Sequence, residues 1–310
     1  MKGIILAGGT GSRLYPLTST VNKQLLPVHD KPLIYYPLTT LISSGIKDIC
    51  VVASAPDLEH YRQLLGSGQN FGIKLSYLVQ DKPTGIPQAF PICRDFIGSD
   101  NVTLILGDNI FVDSGEIRRS IQGFETGSTI FSYQVKNPSR FGVVEFDRDG
   151  FPQKLVEKPT KTKSRSAIPG LYIYDPKVIF LASSLKSSFR GETEITDLNN
   201  LYLSRDELTV KALSRGTTWI DAGTPSALSR ATNYIFTIET NHGLKIGCPE
   251  EAALIRGLID EAKLEALISK MHECEYKEYL ADLVFCRRNR TGLSNGEQFF
   301  VQQRQPFGRI

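Results

Sequence analysis

The chain has 310 residues, of which 41% are hydrophobic, and a formal net charge of +3. This length fits one large α/β domain or two smaller ones, and the nearly balanced charge points to neither a nucleic-acid nor a membrane partner. No apolar run is long enough to span a bilayer, and we expect no signal peptide. The five cysteines form no Cys-x-x-Cys pair, which argues against a zinc or redox motif and favours a reducing cytoplasm.

Apolar runs alternate with helical periodicity through the first half of the chain. Strands are predicted at residues 3–7, 49–53, 75–79 and 102–106. Helices are predicted at residues 33–44, 57–65 and 88–97. This alternation is typical of a parallel sheet with helices on both faces.

The first predicted strand runs into the glycine-rich turn Gly-Gly-Thr-Gly at residues 8–11. Glycines let the backbone approach a ligand closely, and their N–H groups can converge on an anion. The turn lacks both the third glycine of a dinucleotide fingerprint and the ending of a P-loop, so alone it fits a ligand-free turn equally well. Arg13 and Lys23 follow it, and these cations favour a triphosphate site over a ligand-free turn. The glycine spacing disfavours a dinucleotide-dependent oxidoreductase.

Two aspartates are expected at the ends of strands. Asp108 follows the apolar strand 102–106 and a glycine, and Asp221 follows Trp219 and Ile220. Ligands of open α/β sheets bind at the carboxyl ends of the strands, so the glycine turn and Asp108 should share a cleft. Each aspartate alone is more commonly a turn residue, but together they fit Mg²⁺, which prefers one or two carboxylates plus waters and phosphates.

The second half of the chain is less regular. Strands are predicted at residues 129–135, 142–147, 154–157, 170–174 and 208–214. Helices are predicted at residues 176–185, 193–204 and 225–239, and residues 249–283 have helical periodicity. The apolar stripes of these helices are interpreted as core packing.

Residues 6–14 and 23–27 resemble the signature of the sugar-1-phosphate nucleotidyltransferases. Further matching segments are residues 106–111, 141–146, 157–159, 170–172, 191–197 and 219–224. The resemblance runs from residue 1 to about residue 283. It implies an α/β fold of the Rossmann-like, three-layer, GT-A-like type, with a mixed, mostly parallel central sheet and C-terminal helices.

The resemblance also implies a division of the chain. A catalytic domain would occupy residues 1–240, with a nucleotide-binding half at about 1–125 and a sugar-binding half at about 126–240. Residues 241–285 would form a helical region for oligomerisation or regulation, and residues 286–310 a polar tail. Long members of the family suggest a homotetramer.

The implied reaction is nucleotidyl transfer from a nucleoside triphosphate to a hexose 1-phosphate. The leading candidates for these two substrates are dTTP and glucose 1-phosphate. Little acid–base chemistry is needed, so catalysis consists mainly of positioning and charge neutralisation. The expected catalytic residues are Arg13, Lys23 and Lys158, and the expected Mg²⁺ ligands are Asp108 and Asp221. The expected nucleotide contacts are Leu6, Ala7, Gly8, Gly9, Thr10, Gly11, Gln24, Gln80, Pro83 and Gly85. The expected sugar contacts are Asn109, Gly142, Glu157, Ile168 and Tyr172.

Four residues depart from the family pattern near the expected base and sugar pockets. Thr84 stands in place of an acid, Pro87 of alanine, Phe141 of tyrosine, and Pro169 of threonine or serine. These changes fit neutral drift and also fit a shifted specificity, for UTP or a modified sugar 1-phosphate. A catalytically inactive regulatory protein would be expected to lose Lys23 or one of the two aspartates, and all three are present.

Overall fold

A mixed β-sheet with helices on both faces forms the centre of the protein. The computed structural model describes residues 1–9 and 11–289. The strands are β1 Lys2–Leu6, β2 Pro27–Val28, β3 Lys31–Pro32, β4 Asp48–Ala53, β5 Lys74–Val79, β6 Val102–Leu106, β7 Asn109–Val112, β8 Ser128–Gln134, β9 Val143–Phe146, β10 Pro152–Val156, β11 Ser166–Ala167, β12 Leu171–Tyr174, β13 Leu208–Ala212 and β14 Thr218–Asp221. The helices are α1 Tyr35–Ser43, α2 Ala55–Leu65, α3 Ala89–Ile92, α4 Arg94–Ile97, α5 Gly115–Gln122, α6 Val178–Ser183, α7 Ile195–Leu203, α8 Pro225–His242, α9 Pro249–Ile255, α10 Glu261–Ile268 and α11 Glu275–Arg288.

The large sheet has the strand order β10-β9-β11-β8-β12-β6-β1-β4-β5, and β13 also pairs with β8. Its N-terminal part is parallel, since β1 pairs with β4 and β6, and β4 pairs with β5. β12 joins β6 in the antiparallel sense. The prediction of a mixed sheet is therefore confirmed, and parallel β1, β4 and β6 are the nearly continuous apolar runs seen in the sequence.

Side chains alternate between the two faces of this sheet. Ile5 and Val51 pack on one face with α1, α2 and the C-terminal helices α9, α10 and α11. Ile4 and Val52 pack on the other face with α3, α4, α6 and α7. The result is the predicted helix–sheet–helix arrangement of three layers.

A separate two-stranded sheet lies beside the large one. β7 and β14 pair antiparallel, with Asn109 opposite Asp221. The backbone N–H of Ala222 also donates to the carbonyl of Asp108, at 3.0 Å. Strands of four residues are too short for a clear alternation pattern, and the sequence did not predict this pairing, which brings two distant motifs together.

One helical prediction needs correction, and a second needs more detail. The predicted helix 88–97 is interrupted at Cys93, whose φ of −90° and ψ of 15° separate α3 from α4. The segment 249–283 is helical as predicted, but it consists of the three helices α9, α10 and α11. The Asp260 side chain accepts from Lys263 N at 2.8 Å and caps the start of α10. α11 continues through Arg288, so the predicted tail begins inside a helix. Residues 290–310 of that tail lie outside the described residues.

Within residues 1–9 and 11–289, no helix is both long and apolar enough to cross a bilayer. All five cysteines carry free thiols, and three of them are buried, namely Cys50, Cys93 and Cys248.

Glu251 on α9 predicts a pH dependence of stability. Burial raises the pKa of its carboxyl group to about 7, and the negative charge of Glu239 also raises it. The hydrogen bond from the Tyr279 hydroxyl, at 2.8 Å, and the positive charge of Lys31 lower it. The folded protein therefore binds more protons than the unfolded chain between about pH 4.5 and 7. Its unfolding free energy consequently falls as the pH rises through this range. We expect Glu251→Gln to reduce the fall in unfolding free energy between pH 5 and 8 by roughly 2 to 3 kcal/mol.

Urea unfolding at several pH values measures this difference. Glu278→Gln, at an exposed position on α11, is the matched control and should leave the pH dependence of the wild-type protein unchanged. Identical pH profiles for Glu251→Gln and the wild-type protein would contradict the prediction.

Candidate active site

Two adjoining clefts open beyond the carboxyl ends of β1 and β6. The smaller cleft has a volume of about 190 Å³ and is lined by Leu6, Gly8, Gly9, Lys23, Gln24, Gln80, Pro83, Gly85, Ile86, Leu106, Asp108 and Glu192. The larger cleft, of about 520 Å³, is lined by Gly9, Arg13, Ile86, Leu106, Asp108, Asn109, Arg140, Phe141, Gly142, Glu157, Lys158, Ile168, Gly170, Tyr172, Arg190, Glu192, Ile195, Thr196, Trp219 and Asp221. Asp108 lies where the two clefts meet.

Nearly all of the predicted site residues line these clefts. Ala7 does not: it is fully buried behind the wall, where its N–H donates to the carbonyl of Val52 at 2.7 Å. Gly11 lies further along the turn, and its carbonyl accepts from the Thr18 hydroxyl at 2.9 Å. Thr10 lies outside the described residues. The glycine turn therefore reaches the clefts through Gly8 and Gly9.

Lys23 and Asp108 form a buried ion pair at the junction of the clefts. Lys23 Nζ lies 2.5 Å from Asp108 Oδ2, and Asn109 Nδ2 donates to Asp108 Oδ1 at 3.0 Å. Burial alone would raise the pKa of Asp108, but the charge and hydrogen bond of Lys23, with the bond from Asn109, hold it below its usual value. Asp108 is therefore a carboxylate at neutral pH.

Local structure fixes the position of Lys23. It begins a short 3₁₀ turn, Lys23–Leu25, which is capped by Asn22, whose side chain accepts from Gln24 N at 3.0 Å. The hydroxyl of Tyr61 donates to the same Asn22 oxygen at 2.7 Å. The lysine is thus held from its backbone side as well as by its carboxylate partner.

Asp221 is the second carboxylate of the site. Burial raises its pKa, and the negative charge of Asp108 raises it further, while Arg13, Lys23 and Arg140 act in the opposite direction. Arg140 Nη2 lies 3.8 Å from Asp221 Oδ2. The two carboxylates are thus close enough to influence each other, in surroundings made positive by three cations.

Arg13 reaches this carboxylate across Gly223. A Cβ atom at Gly223 would lie 2.8 Å from Arg13 Nη2 and 2.9 Å from Asp221 Oδ1. Glycine at this position therefore makes room for the guanidinium beside the carboxylate. The sequence motif 219–224 therefore contributes both the carboxylate of Asp221 and, at Gly223, the space for the Arg13 guanidinium.

Gln24 and Gln80 present unpartnered polar atoms in the smaller cleft. Their side chains are almost completely buried, with 2% and 5% of their surface exposed. Within the described residues, Gln24 Oε1 and Gln80 Nε2 have no hydrogen-bond partner. Because a buried polar group without a partner is costly, one acceptor and one donor are available here for a ligand.

Glu157 is the central carboxylate of the larger cleft. It accepts a hydrogen bond from the hydroxyl of Thr196. Lys158 Nζ lies 3.4 Å from its Oε1, and Arg190 Nη1 lies 3.6 Å from the same oxygen. Lys158 has a φ of +39°, which is uncommon for a residue other than glycine. The cleft therefore combines a hydrogen-bond acceptor with two cations at the same wall.

The four other predicted sugar contacts also line this cleft. Asn109 Oδ1 accepts from Gly170 N at 3.0 Å and from Trp219 Nε1 at 2.6 Å. Ile168 N donates to the carbonyl of Gly142 at 2.8 Å. Burial, followed by the charges of Glu157 and Asp108, raises the pKa of Tyr172, so its hydroxyl stays protonated. Asn109 is largely occupied in holding Asp108 and Trp219.

The structure adds residues that sequence reasoning did not assign to the site. These include Ile86, Arg140, Glu192, Arg190, Ile195, Thr196 and Trp219. Four of them, Glu192, Ile195, Thr196 and Trp219, belong to segments 191–197 or 219–224 that matched the family, and Arg140 and Arg190 directly precede such segments. Those matches were the available signal, and the residues were missed because a motif does not show which of its side chains face the cleft.

The four departures from the family pattern have different surroundings. Phe141 lines the larger cleft and lies 5.0 Å from the Trp219 ring. Pro87 sits in a 3₁₀ turn over residues 86–88, where a fixed φ suits the backbone. Thr84 is exposed and Pro169 is buried, and neither lines either cleft. Only Phe141 therefore changes the surface offered to a ligand.

The site combines positive charge from Arg13, Lys23 and Lys158 with the carboxylates Asp108 and Asp221, and two adjoining clefts meet there. Cations in this arrangement suit phosphate ligands. A profile of the nucleotidyl transferase family matches residues 2–237. The chain belongs to the nucleotidyl transferase family and is a nucleotidyltransferase.

Its relatives are named more specifically. Glucose-1-phosphate thymidylyltransferase of Mycolicibacterium smegmatis is 52% identical, over 92% of this chain and 99% of the relative. The enzyme of the same name from Neisseria meningitidis is 48% identical over the same shares. Among solved structures, a Bacillus anthracis protein assigned as a glucose-1-phosphate thymidylyltransferase is 44% identical, with a TM-score of 0.70 over 76% of this chain and 94% of its own. A UDP-glucose pyrophosphorylase at 23% identity and TM-score 0.66, over 76% and 98%, shares the fold.

Proposed function

We propose that the protein transfers the thymidylyl group of dTTP to glucose 1-phosphate, giving dTDP-glucose and pyrophosphate. The observation that carries this proposal is the position of the Lys23–Asp108 pair at the junction of the two clefts. The smaller cleft contains the unpartnered amide atoms of Gln24 and Gln80, and the larger cleft is centred on Glu157. The names of the relatives support the same substrates.

The reaction makes and breaks one bond at the α-phosphorus. An oxygen of the sugar phosphate attacks in line, the bond from α-phosphorus to the β-bridging oxygen breaks, and pyrophosphate leaves with that oxygen. The attacking phosphate is already ionised at neutral pH, so no side chain needs to remove a proton. Arg13 would hold the leaving pyrophosphate, Lys23 would neutralise charge at the α-phosphate, and Lys158 would bind the sugar phosphate.

The base would bind in the smaller cleft. A thymine ring offers an imide N–H donor between two carbonyl acceptors, which complements the free acceptor of Gln24 and the free donor of Gln80. Leu6 and Leu106 supply apolar walls. Glu157 would accept from sugar hydroxyls in the larger cleft, near Gly142 and Tyr172.

The residues present fit Mg²⁺. Asp108 and Asp221 supply two carboxylates whose charges interact, as the raised pKa of Asp221 indicates, and Mg²⁺ is bound in such sites by one or two carboxylates plus substrate phosphates. Both aspartates would hold the ion. When bound, it supplies positive charge that stabilises the charge developing on the phosphates.

The test is a substrate panel read by pyrophosphate release. Each of dTTP, UTP, CTP and GTP is paired with glucose 1-phosphate and with other hexose 1-phosphates, and each pair is assayed with and without Mg²⁺. We expect the highest kcat/KM for dTTP with glucose 1-phosphate. A preference for UTP or a modified sugar 1-phosphate would favour the shifted specificity, and no release with any pair would favour a binding protein.

We further propose a homotetramer in the cytoplasm, with residues 1–240 as the catalytic domain and 241–285 as the assembly region. The half-exposed side chains of Ile255 on α9 and Phe285 on α11 support an interface at the C-terminal helices. The free thiols support a reducing compartment. Light scattering in solution tests the assembly, for which a mass of four chains is expected.

A further inference from the structure

The segment 188–196 connects the two clefts. It enters α7 at Ile195, and its Glu192 lines both the smaller and the larger cleft. A turn holds its beginning, where Ser188 N donates to the carbonyl of Glu192 at 2.8 Å. We call residues 188–196 the bridging segment.

One side of the bridging segment holds the loop that borders the smaller cleft. Thr193 N donates to the carbonyl of Thr84 at 2.8 Å, and the Thr193 hydroxyl donates to the same oxygen at 3.2 Å. Gln88 Nε2 in turn donates to that hydroxyl at 3.2 Å. The other hydrogen bond that leaves residues 81–85 within the described chain is local, from Gln88 N to the carbonyl of Gly85 at 3.3 Å, so the long-range ones end on Thr193.

The contact between loop and segment is unusually close. Gly85 has a φ of +127°, and a Cβ atom there would lie 2.1 Å from the carbonyl oxygen of Thr193. Only glycine permits this approach. Because Gly85 also lines the smaller cleft, the wall of that cleft is in direct contact with Thr193.

The other side of the bridging segment holds Glu157. Arg190 lies 3.6 Å from Glu157 and 3.3 Å from Glu192, and its Nε lies 3.7 Å from Glu194. Thr196 donates its hydroxyl to Glu157 from the first turn of α7. The same short stretch therefore contacts the loop of one cleft and the central carboxylate of the other.

We infer that the bridging segment couples nucleotide binding to sugar-phosphate binding, with Thr193 as the positioning residue between them. The inference rests on the proposed function, since it assigns the nucleotide to the smaller cleft and the sugar phosphate to the larger one. The first ligand orders the loop and the bridging segment together, so the second binds a site that is already ordered. That saving is a favourable, negative coupling free energy, and it is the same for both ligands.

The experiment measures the coupling directly in the full chain. Thymidine α,β-methylene triphosphate, which cannot be cleaved at the reacting bond, is titrated calorimetrically with Mg²⁺, with and without glucose 1-phosphate. We expect glucose 1-phosphate to tighten its binding about 10-fold in the wild-type protein. Thr193→Val keeps the shape but removes the hydroxyl, and we expect the factor to fall to about 2-fold or less.

Thr193→Ser is the rescue variant because it restores the hydroxyl, and its coupling factor should match that of the wild-type protein. Kinetics add a second readout: Thr193→Val should raise both KM values and change kcat little, whereas general misfolding would lower the active fraction and leave KM unchanged. An unchanged coupling factor in Thr193→Val, or none in the wild-type protein, overturns the inference. Failure of the wild-type protein to turn over dTTP with glucose 1-phosphate would instead refute the proposed function.

Discussion

Replacing Lys23 by alanine is expected to lower kcat/KM for dTTP and glucose 1-phosphate about 100- to 1,000-fold. The Lys23 ammonium is the cation nearest the junction of the two clefts, 2.5 Å from Asp108. Its side chain is only 11% exposed, so water and salt screen its charge weakly. A positioned charge of this kind stabilises charge that develops in the transition state and cannot be replaced by solvent.

The measurement is steady-state pyrophosphate release, accompanied by circular dichroism and a thermal melt. Lys47→Ala is the matched control, since Lys47 is an exposed lysine just before β4, at the opposite end of the strands from the clefts. It should keep wild-type kinetics. Lys23→Ala with cooperative melting and wild-type turnover would refute the role given to Lys23.

Lys23→Arg separates charge from geometry. The guanidinium keeps the positive charge beside Asp108 but is larger and planar, so it cannot occupy the same position 2.5 Å from Oδ2. We expect turnover between those of Lys23→Ala and the wild-type protein. Because the buried carboxylate keeps a cationic partner, this variant also shows whether lost activity in Lys23→Ala arises from lost folding.

The part of the site that was predictable lies next to β1 and β6. Both strands are buried apolar runs, and parallel strands place their carboxyl ends together, so the glycine turn and Asp108 had to meet. Lys23 was predicted as part of a motif, and the structure shows why it points inward: Asn22 caps its turn. Local sequence and sheet topology agree here, which is why sequence reasoning succeeded.

The part that was not predictable depends on long-range pairing. The pairing of β7 with β14 places Asn109 opposite Asp221, and the Trp219 indole donates to Asn109 across the same pair. Neither four-residue strand has a periodicity that specifies its partner. Arg190 and Thr193 were missed for a related reason, since their contacts with Glu157 and Thr84 come from a connection that has no regular structure.

The ends of helices were also difficult to predict from the sequence. The apolar spacing of residues 249–283 indicated helix correctly, but it did not show that Asp260 caps a new one. Capping depends on whether one side chain turns back to a backbone N–H, and aspartate does so at some positions only. Similarly, the break at Cys93 between α3 and α4 lies two residues after Pro91, and the prediction of one helix over residues 88–97 did not take this proline into account.

Asp221→Asn is expected to lower kcat at least about 100-fold and to raise the Mg²⁺ concentration needed for half-maximal rate. The substitution preserves the shape of a side chain that lies opposite Asn109 and beside Arg13 and Arg140, but it removes the negative charge. If Asp108 and Asp221 hold the ion together, one carboxylate and one amide should bind it less tightly.

The same variant should melt at the wild-type temperature or higher in EDTA. Burial and the negative charge of Asp108 both disfavour the ionised form of Asp221. Their combined effect exceeds the opposite effect of the nearby cations, since the pKa of Asp221 is raised. Without the ion, the carboxylate therefore destabilises the fold and an amide does not. A catalytic loss combined with unchanged or greater stability would distinguish an ion-binding role from a structural one.

Asp149→Asn makes the same chemical change at an exposed turn between β9 and β10, far from the clefts, and serves as the control. Its Mg²⁺ dependence and melting temperature should equal those of the wild-type protein. An Asp221→Asn enzyme with a wild-type Mg²⁺ dependence would remove Asp221 from the ion site, leaving Asp108 as the one carboxylate proposed to hold it. A lower melting temperature in EDTA would instead mean that the cations around Asp221 depend on its charge for stability.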